Sequence, residues 1–75
     1  DLLVTGHTAR IGSEQGQLRL SEERARIIAD YLLEQGRDTH GVFTRWAGGK
    51  EPIASNNTEE GRSRNRRVEI TLLDK

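Results

Sequence analysis

Seventy-five residues, 8.5 kDa, leave room for one small domain, since a domain takes roughly 100–200 residues. Leu, Ile, Val and Phe supply 17 of them, about 23%, which lies above the roughly 20% below which disorder becomes the default. Twelve basic residues balance twelve acidic ones, so no whole-domain field draws in nucleic acid or an anionic membrane.

The chain opens on Leu2-Leu3-Val4-Thr5, a continuous apolar run that ends at Gly6 and suits a buried central strand. A polar loop is expected from Gly6 to Arg19, with three of the eight glycines in it. Ser21 then reads as an N-cap followed by Glu22 and Glu23, and the spacing predicts a helix over about 22–35 that Gly36 terminates. On that helix Ala25, Ile28, Ala29 and Leu32 share one face, Tyr31 and Leu33 flank it, and Arg26, Asp30 and Glu34 point away. The β-prone segment Val42 to Trp46, bounded by Gly41 and Gly48-Gly49, predicts a second strand. After Pro52 and Asn56-Asn57, Thr58 caps a short helix over 59–65. Last, Arg67 to Leu72 alternates strictly, which predicts a half-buried strand with Val68, Ile70 and Leu72 toward the core. Strand, helix and strand in this order give a parallel crossover, and the final strand joins the same sheet. The expected fold is α+β, a two-layer α/β sandwich with a mixed sheet. So thin a core, in a chain that starts without Met inside an apolar run, suggests a piece of a larger unit.

The chemistry available is narrow. There is no Cys, which fits any redox compartment, and no apolar stretch of membrane-spanning length. His7 and His40 have no partners at metal-ligand spacing, so neither a metal nor a cofactor is expected, and Trp46 reads as core or rim. Neither a nucleophile paired with a base nor a phosphate-cradling loop is present, so an enzyme is not expected. Arg62, Arg64, Arg66 and Arg67 have no acidic residue between them, yet a neutral domain without interleaved aromatics argues against nucleic acid. Arg24 stands out. Placed in the first turn of its helix it meets the positive end of the macrodipole and calls for an anion, either a ligand carboxylate or an internal one such as Glu22 or Glu23.

Gly6-His7-Thr8, then Leu20-Ser21-x-x-Arg24-Ala25, Pro52, Asn57-Thr58-x-x-Gly61-Arg62 and Asn65-Arg66-Arg67-Val68-Glu69-Ile70 together resemble the OmpA-like peptidoglycan-binding domain in order and spacing. That family includes domains of outer-membrane proteins, peptidoglycan-associated lipoproteins and flagellar stator subunits. The resemblance implies a periplasmic location and non-covalent tethering of the envelope to the wall. It also implies a sheet in which the family's first strand and helix are absent from residues 1–75, so that the last strand has an open edge suited to a protein partner or self-association. The family's ligand is the diaminopimelate of the stem peptide, and the resemblance assigns its carboxylate to Arg24 and its surroundings to Thr8, Ala9, Gln17 and Leu20. Asn65, Arg66 and Arg67 fall to the scaffold. Ala9 stands where the family has an Asp for the ligand ammonium, Gln17 where Asn is usual, and Trp46 where a small glycine is usual, which implies weakened or altered wall binding. Glu14, in the same loop, is the one nearby acid, though its replacing the missing charge is not the expected outcome. The alternative is a degenerate domain of this family that acts as a structural or protein-interaction module without binding diaminopimelate.

Overall fold

A computed structural model describes residues 1–35 and 41–73. Three strands form one sheet in the order β2-β1-β3, with β1 (Leu2–His7) at its centre. On one side β2 (Val42–Gly48) runs parallel to β1, and on the other β3 (Val68–Leu72) runs antiparallel. Val4 sits opposite Thr44 and Ile70. The apolar run at the start of the chain is therefore the central strand, as its composition predicts, and the sheet is mixed.

Helix α1 (Glu14–Glu34) lies across one face of the sheet, and a second helix, α2 (Glu59–Asn65), precedes β3. Val4, Ala25 and Ala29 are buried at their interface, with Ile28, Leu32, Val42 and Val68 packed around them. The face predicted for α1 is thus the one buried. Two alanines in that seam let the helix sit close to the strand, and Gly6 makes the closest approach. A Cβ on Gly6 would stand 2.0 Å from the Ser21 carbonyl oxygen, nearer than any side chain can come. Gly61 plays the same part against the segment before α2, where a Cβ would lie 1.8 Å from the Ser55 carbonyl oxygen. The glycines of the two motifs are there for backbone proximity.

Three expectations are corrected. Helix α1 starts eight residues early, at Glu14, with Ser13 as its N-cap accepting from the Gly16 amide at 3.0 Å. Ser21 is fully buried in mid-helix, where its hydroxyl donates to the Leu18 carbonyl (2.8 Å) and accepts from the Gly48 amide (3.0 Å). Both serines are followed by acidic residues, but Leu18 has to lie on the helix to pack against Gly48 at the end of β2. The loop predicted from Gly6 to Arg19 consequently shrinks to residues 8–13, and β1 extends through His7. Finally, Ile70 and Leu72 are 53% and 72% exposed. They share the α1 side of the sheet with Val4, but α1 stands over β1 and β2 and covers β3 only near Val68. The predicted helix end at Gly36, and His40, lie outside the described residues.

The segment between β2 and α2 carries little regular structure and is fixed by Asn65. This fully buried side chain accepts from the Ile53 and Ala54 amides (2.8 and 3.0 Å) and donates to the Ala54 carbonyl and to Asn56 Oδ1 (3.0 and 2.9 Å). The arginines around it act in the same way. Arg62 donates to the Asn56 carbonyl and Arg67 to the Glu51 carbonyl, each at 3.1 Å. Asn65 and Arg67, which the resemblance gives to the scaffold, thus bond to the backbone of residues 51–54.

Candidate functional site

The loop of residues 8–13 leaves β1 at the carboxyl end of the two parallel strands, the position where open α/β sheets tend to bind ligands. It is tied down on every side. The Thr8 amide donates to the Gly48 carbonyl at 2.9 Å and the Arg10 amide to Asn56 Oδ1 at 3.0 Å. From α1, the Gln17 side-chain amide donates to the Ile11 and Gly12 carbonyls at 3.3 and 3.1 Å. Gly12, at φ +79°, makes the turn that brings those carbonyls inward. Gln17 therefore acts on the loop backbone, a role that its amide performs whatever the ligand.

Between this loop and the start of α1 lies a cavity of about 220 Å³. Thr8, Ala9, Gln17 and Leu20, all singled out by sequence, line it together. So does Arg66, to which sequence assigned a scaffold role alone, along with Ile11. The Arg66 guanidinium also pairs with Glu59 at 2.5 Å, so it serves both the scaffold and the rim of the cavity. Its signal in the sequence was its place in the Asn65-Arg66-Arg67 run, which fixes it where α2 meets β3. Ala9 is buried, and nothing on the cavity wall is acidic. Glu14, the one acid the sequence offers near Ala9, is the first residue of α1. It lines a separate concavity with Arg10 and Lys50, and pairs with Lys50 at 3.2 Å.

Arg24 is not on the cavity wall. It sits in the third turn of α1, so the macrodipole argument for its anion does not apply to it. What holds it is a hydrogen bond from Nη1 to the His7 carbonyl at 3.1 Å, which places the guanidinium beside the residue that precedes Thr8. It is half-buried, and among the described residues it forms no ion pair, Glu22 being engaged with Arg26 at 2.7 Å. One of five guanidinium donors is thus used, with no internal carboxylate to satisfy the rest. Leu20 and Arg24 stand one turn apart on the same flank of α1.

His7 is almost completely buried on the sheet face away from α1. Its Nε2 lies 3.6 Å from Glu69 Oε1, too far for a hydrogen bond, and neither ring nitrogen finds a partner among the described residues. Burial, reinforced by the nearby Arg67 guanidinium, pushes its pKa below the ordinary 6.5 against the opposing pull of Glu69 and Glu51. The imidazole is thus biased towards its neutral form. Among the described residues there is no cluster of side chains suited to a metal ion, and no helix is long and apolar enough to cross a membrane.

Against known proteins, residues 1–66 match the OmpA family. Outer membrane protein A of Bordetella avium is 44% identical over 72 residues, which is 96% of this chain and 37% of that protein. Peptidoglycan-binding protein ArfA of Mycobacterium tuberculosis is 46% identical over 69 residues, 92% of this chain and 21% of that one. Among solved structures, the peptidoglycan-associated lipoprotein from Burkholderia pseudomallei superposes with a TM-score of 0.85 at 25% identity, over 92% of this chain and 58% of that one. The chain spans well under half the length of these two curated relatives.

Proposed function

Because this chain belongs to the OmpA family, we propose that it binds peptidoglycan non-covalently from the periplasmic side and tethers the protein that carries it to the cell wall. It acts as a binding module and not as an enzyme. The observation that carries the reading is Arg24, a half-buried guanidinium aimed at the His7 carbonyl beside the 8–13 loop, with no carboxylate partner among the described residues. A stem-peptide carboxylate placed there completes its hydrogen bonding, and charge-assisted bonds of this kind contribute about 1.5–3 kcal/mol. Two relatives support the ligand class by name, one a peptidoglycan-binding protein and one a peptidoglycan-associated lipoprotein.

Ala9 sets the strength. A buried methyl group cannot accept from a ligand ammonium, so one charge-assisted bond is missing and affinity falls about 10- to 150-fold relative to a site that has an acid there. The test is co-sedimentation of the full-length protein with purified sacculi, beside Arg24→Ala. Retention of the parent protein and its loss in the variant support wall binding. A second reading, the interaction module, draws on the exposed apolar side chains Ile27, Tyr31, Ile70 and Leu72 and on the outer edge of β3, which has no strand partner among the described residues. Retention of neither favours that reading, whereas equal retention of both shows wall binding that does not depend on Arg24.

A further inference from the structure

We propose that the cavity between the 8–13 loop and α1 selects a free carboxylate next to a short, uncharged aliphatic group, the chemistry of an N-acylated alanine carboxy terminus, in preference to a zwitterionic end. The inference rests on the reading of this site as a wall-binding one and names the kind of end it takes.

The argument starts from the walls. Ala9, Ile11 and Leu20 give the cavity an apolar surface, and Ile11 and Leu20 are 58% and 42% exposed, so a ligand methyl group would cover side chains that now face water. A volume of about 220 Å³ is below the range for drug-sized ligands and suits one amino-acid end. The one charged side chain in the lining is a cation. Arg66 is on the cavity rim, and its pairing with the largely exposed Glu59 is a surface pair that a ligand carboxylate can share. Arg24, outside the lining, is held at the His7 carbonyl one turn of α1 beyond Leu20. No acidic side chain lines the cavity, and Glu14 is turned to the concavity it shares with Lys50. In the loop, the Ile11 and Gly12 carbonyls already accept from Gln17. An ammonium entering here gives up water and meets guanidinium groups, whereas a methyl and a carboxylate each find a partner.

Such an end could belong to a stem peptide or to the carboxy terminus of a protein. The experiment separates these sources with the full-length protein. N-acetyl-D-alanine and N-acetyl-L-alanine are titrated against free diaminopimelate, following the amide shifts of Ala9 and Leu20, and the same compounds compete with sacculi in the sedimentation assay. The expected result is that one N-acetylalanine binds at least about tenfold more tightly than diaminopimelate and releases the protein from sacculi. Ala9→Asp should reverse the order of the two ligands. Leu20→Asp, at a position exposed enough to keep the fold, should lose N-acetylalanine by about tenfold. Diaminopimelate binding as tightly as N-acetylalanine, or sacculi retained without any competition by N-acetylalanine, overturns this inference and leaves wall binding standing. N-acetylalanine bound at the cavity with no retention by sacculi overturns the wall as the source and supports a protein carboxy terminus.

Discussion

Replacing Asn65 by Ala isolates the bond network that holds the site from behind. Its side chain makes four hydrogen bonds, two accepted from the Ile53 and Ala54 amides and two donated to the Ala54 carbonyl and Asn56 Oδ1. Asn56 Oδ1 in turn accepts from the Arg10 amide at 3.0 Å, so the network runs from α2 through residues 53–56 into the loop of the site. At about 0.5–1.5 kcal/mol net per bond the four sum to roughly 2–6 kcal/mol. Ile53 is exposed and Ala54 half-buried, so water restores part of the loss and the lower half of the range, about 2–4 kcal/mol, is expected. A domain of this size has roughly 4–11 kcal/mol in all, at about 0.05–0.15 per residue. Urea unfolding followed by circular dichroism should show the midpoint falling by about 1–2 M at an m-value near 2 kcal/mol/M. Amide exchange at Arg10 should accelerate beyond the global change. Asn65→Asp keeps the acceptor for both amides but sets an oxygen against the Ala54 carbonyl and Asn56 Oδ1, so it too destabilises, and it regains stability as pH falls towards the unfolded carboxylate value of about 4. A loss under about 1 kcal/mol for Asn65→Ala, with unchanged exchange at Arg10, would refute the network as the support of the loop.

Gly6→Ala forces a Cβ against the Ser21 carbonyl and the backbone of α1, which must lift. The expected cost is about 3 kcal/mol or more, read as a fall in unfolding midpoint, and a near-neutral result would contradict the close packing. Ser21→Ala strands the buried Gly48 amide and should cost about 1–3 kcal/mol, with faster exchange at Gly48 as its signature. His7 makes stability depend on pH. Its folded pKa lies below 6.5, so the unfolded chain binds the proton more tightly, and the contribution of the neutral ring is complete above about pH 6.5 and lost as pH falls through the folded value. Comparing unfolding midpoints at about pH 7.5 and 5.5 should show the loss in the parent protein and a flatter response in His7→Gln; equal slopes for the two would show that His7 is not the group responsible.

The parts of the fold that were legible are those where burial and periodicity agree. Leu2 to Thr5 reads as a central strand because it is apolar without interruption, and Ala25, Ile28, Ala29 and Leu32 read as one helix face because they recur at helical spacing. The start of α1 was not legible, since Ser13 and Ser21 carry the same local cap signal. What distinguishes them is tertiary: Ser21 is needed at the Gly48 amide, and Leu18 against Gly48. That one slip also displaced the electrostatic case for Arg24, whose contact with the His7 carbonyl belongs to the packing of α1 on β1. Strict alternation in β3 predicted an inward face for Ile70 and Leu72, but alternation says which residues share a face and not whether a helix covers it. Thr8, Ala9, Gln17 and Leu20, grouped in the sequence by the order of motifs, line one cavity in the structure. Arg66 was missed because a guanidinium that braces a backbone and one that rims a cavity look alike in sequence.

The central claim is that wall fragments bind at the 8–13 loop and Arg24, and a nuclear magnetic resonance titration of the full-length protein with soluble muropeptides tests it most directly. The account predicts saturable shifts at Thr8, Ala9, Gln17, Leu20, the Arg24 side chain and Arg66, weakened about 10- to 150-fold by Arg24→Ala. Shifts confined to Ile27, Tyr31, Ile70 and Leu72, or a response that Arg24→Ala leaves unchanged, would contradict it.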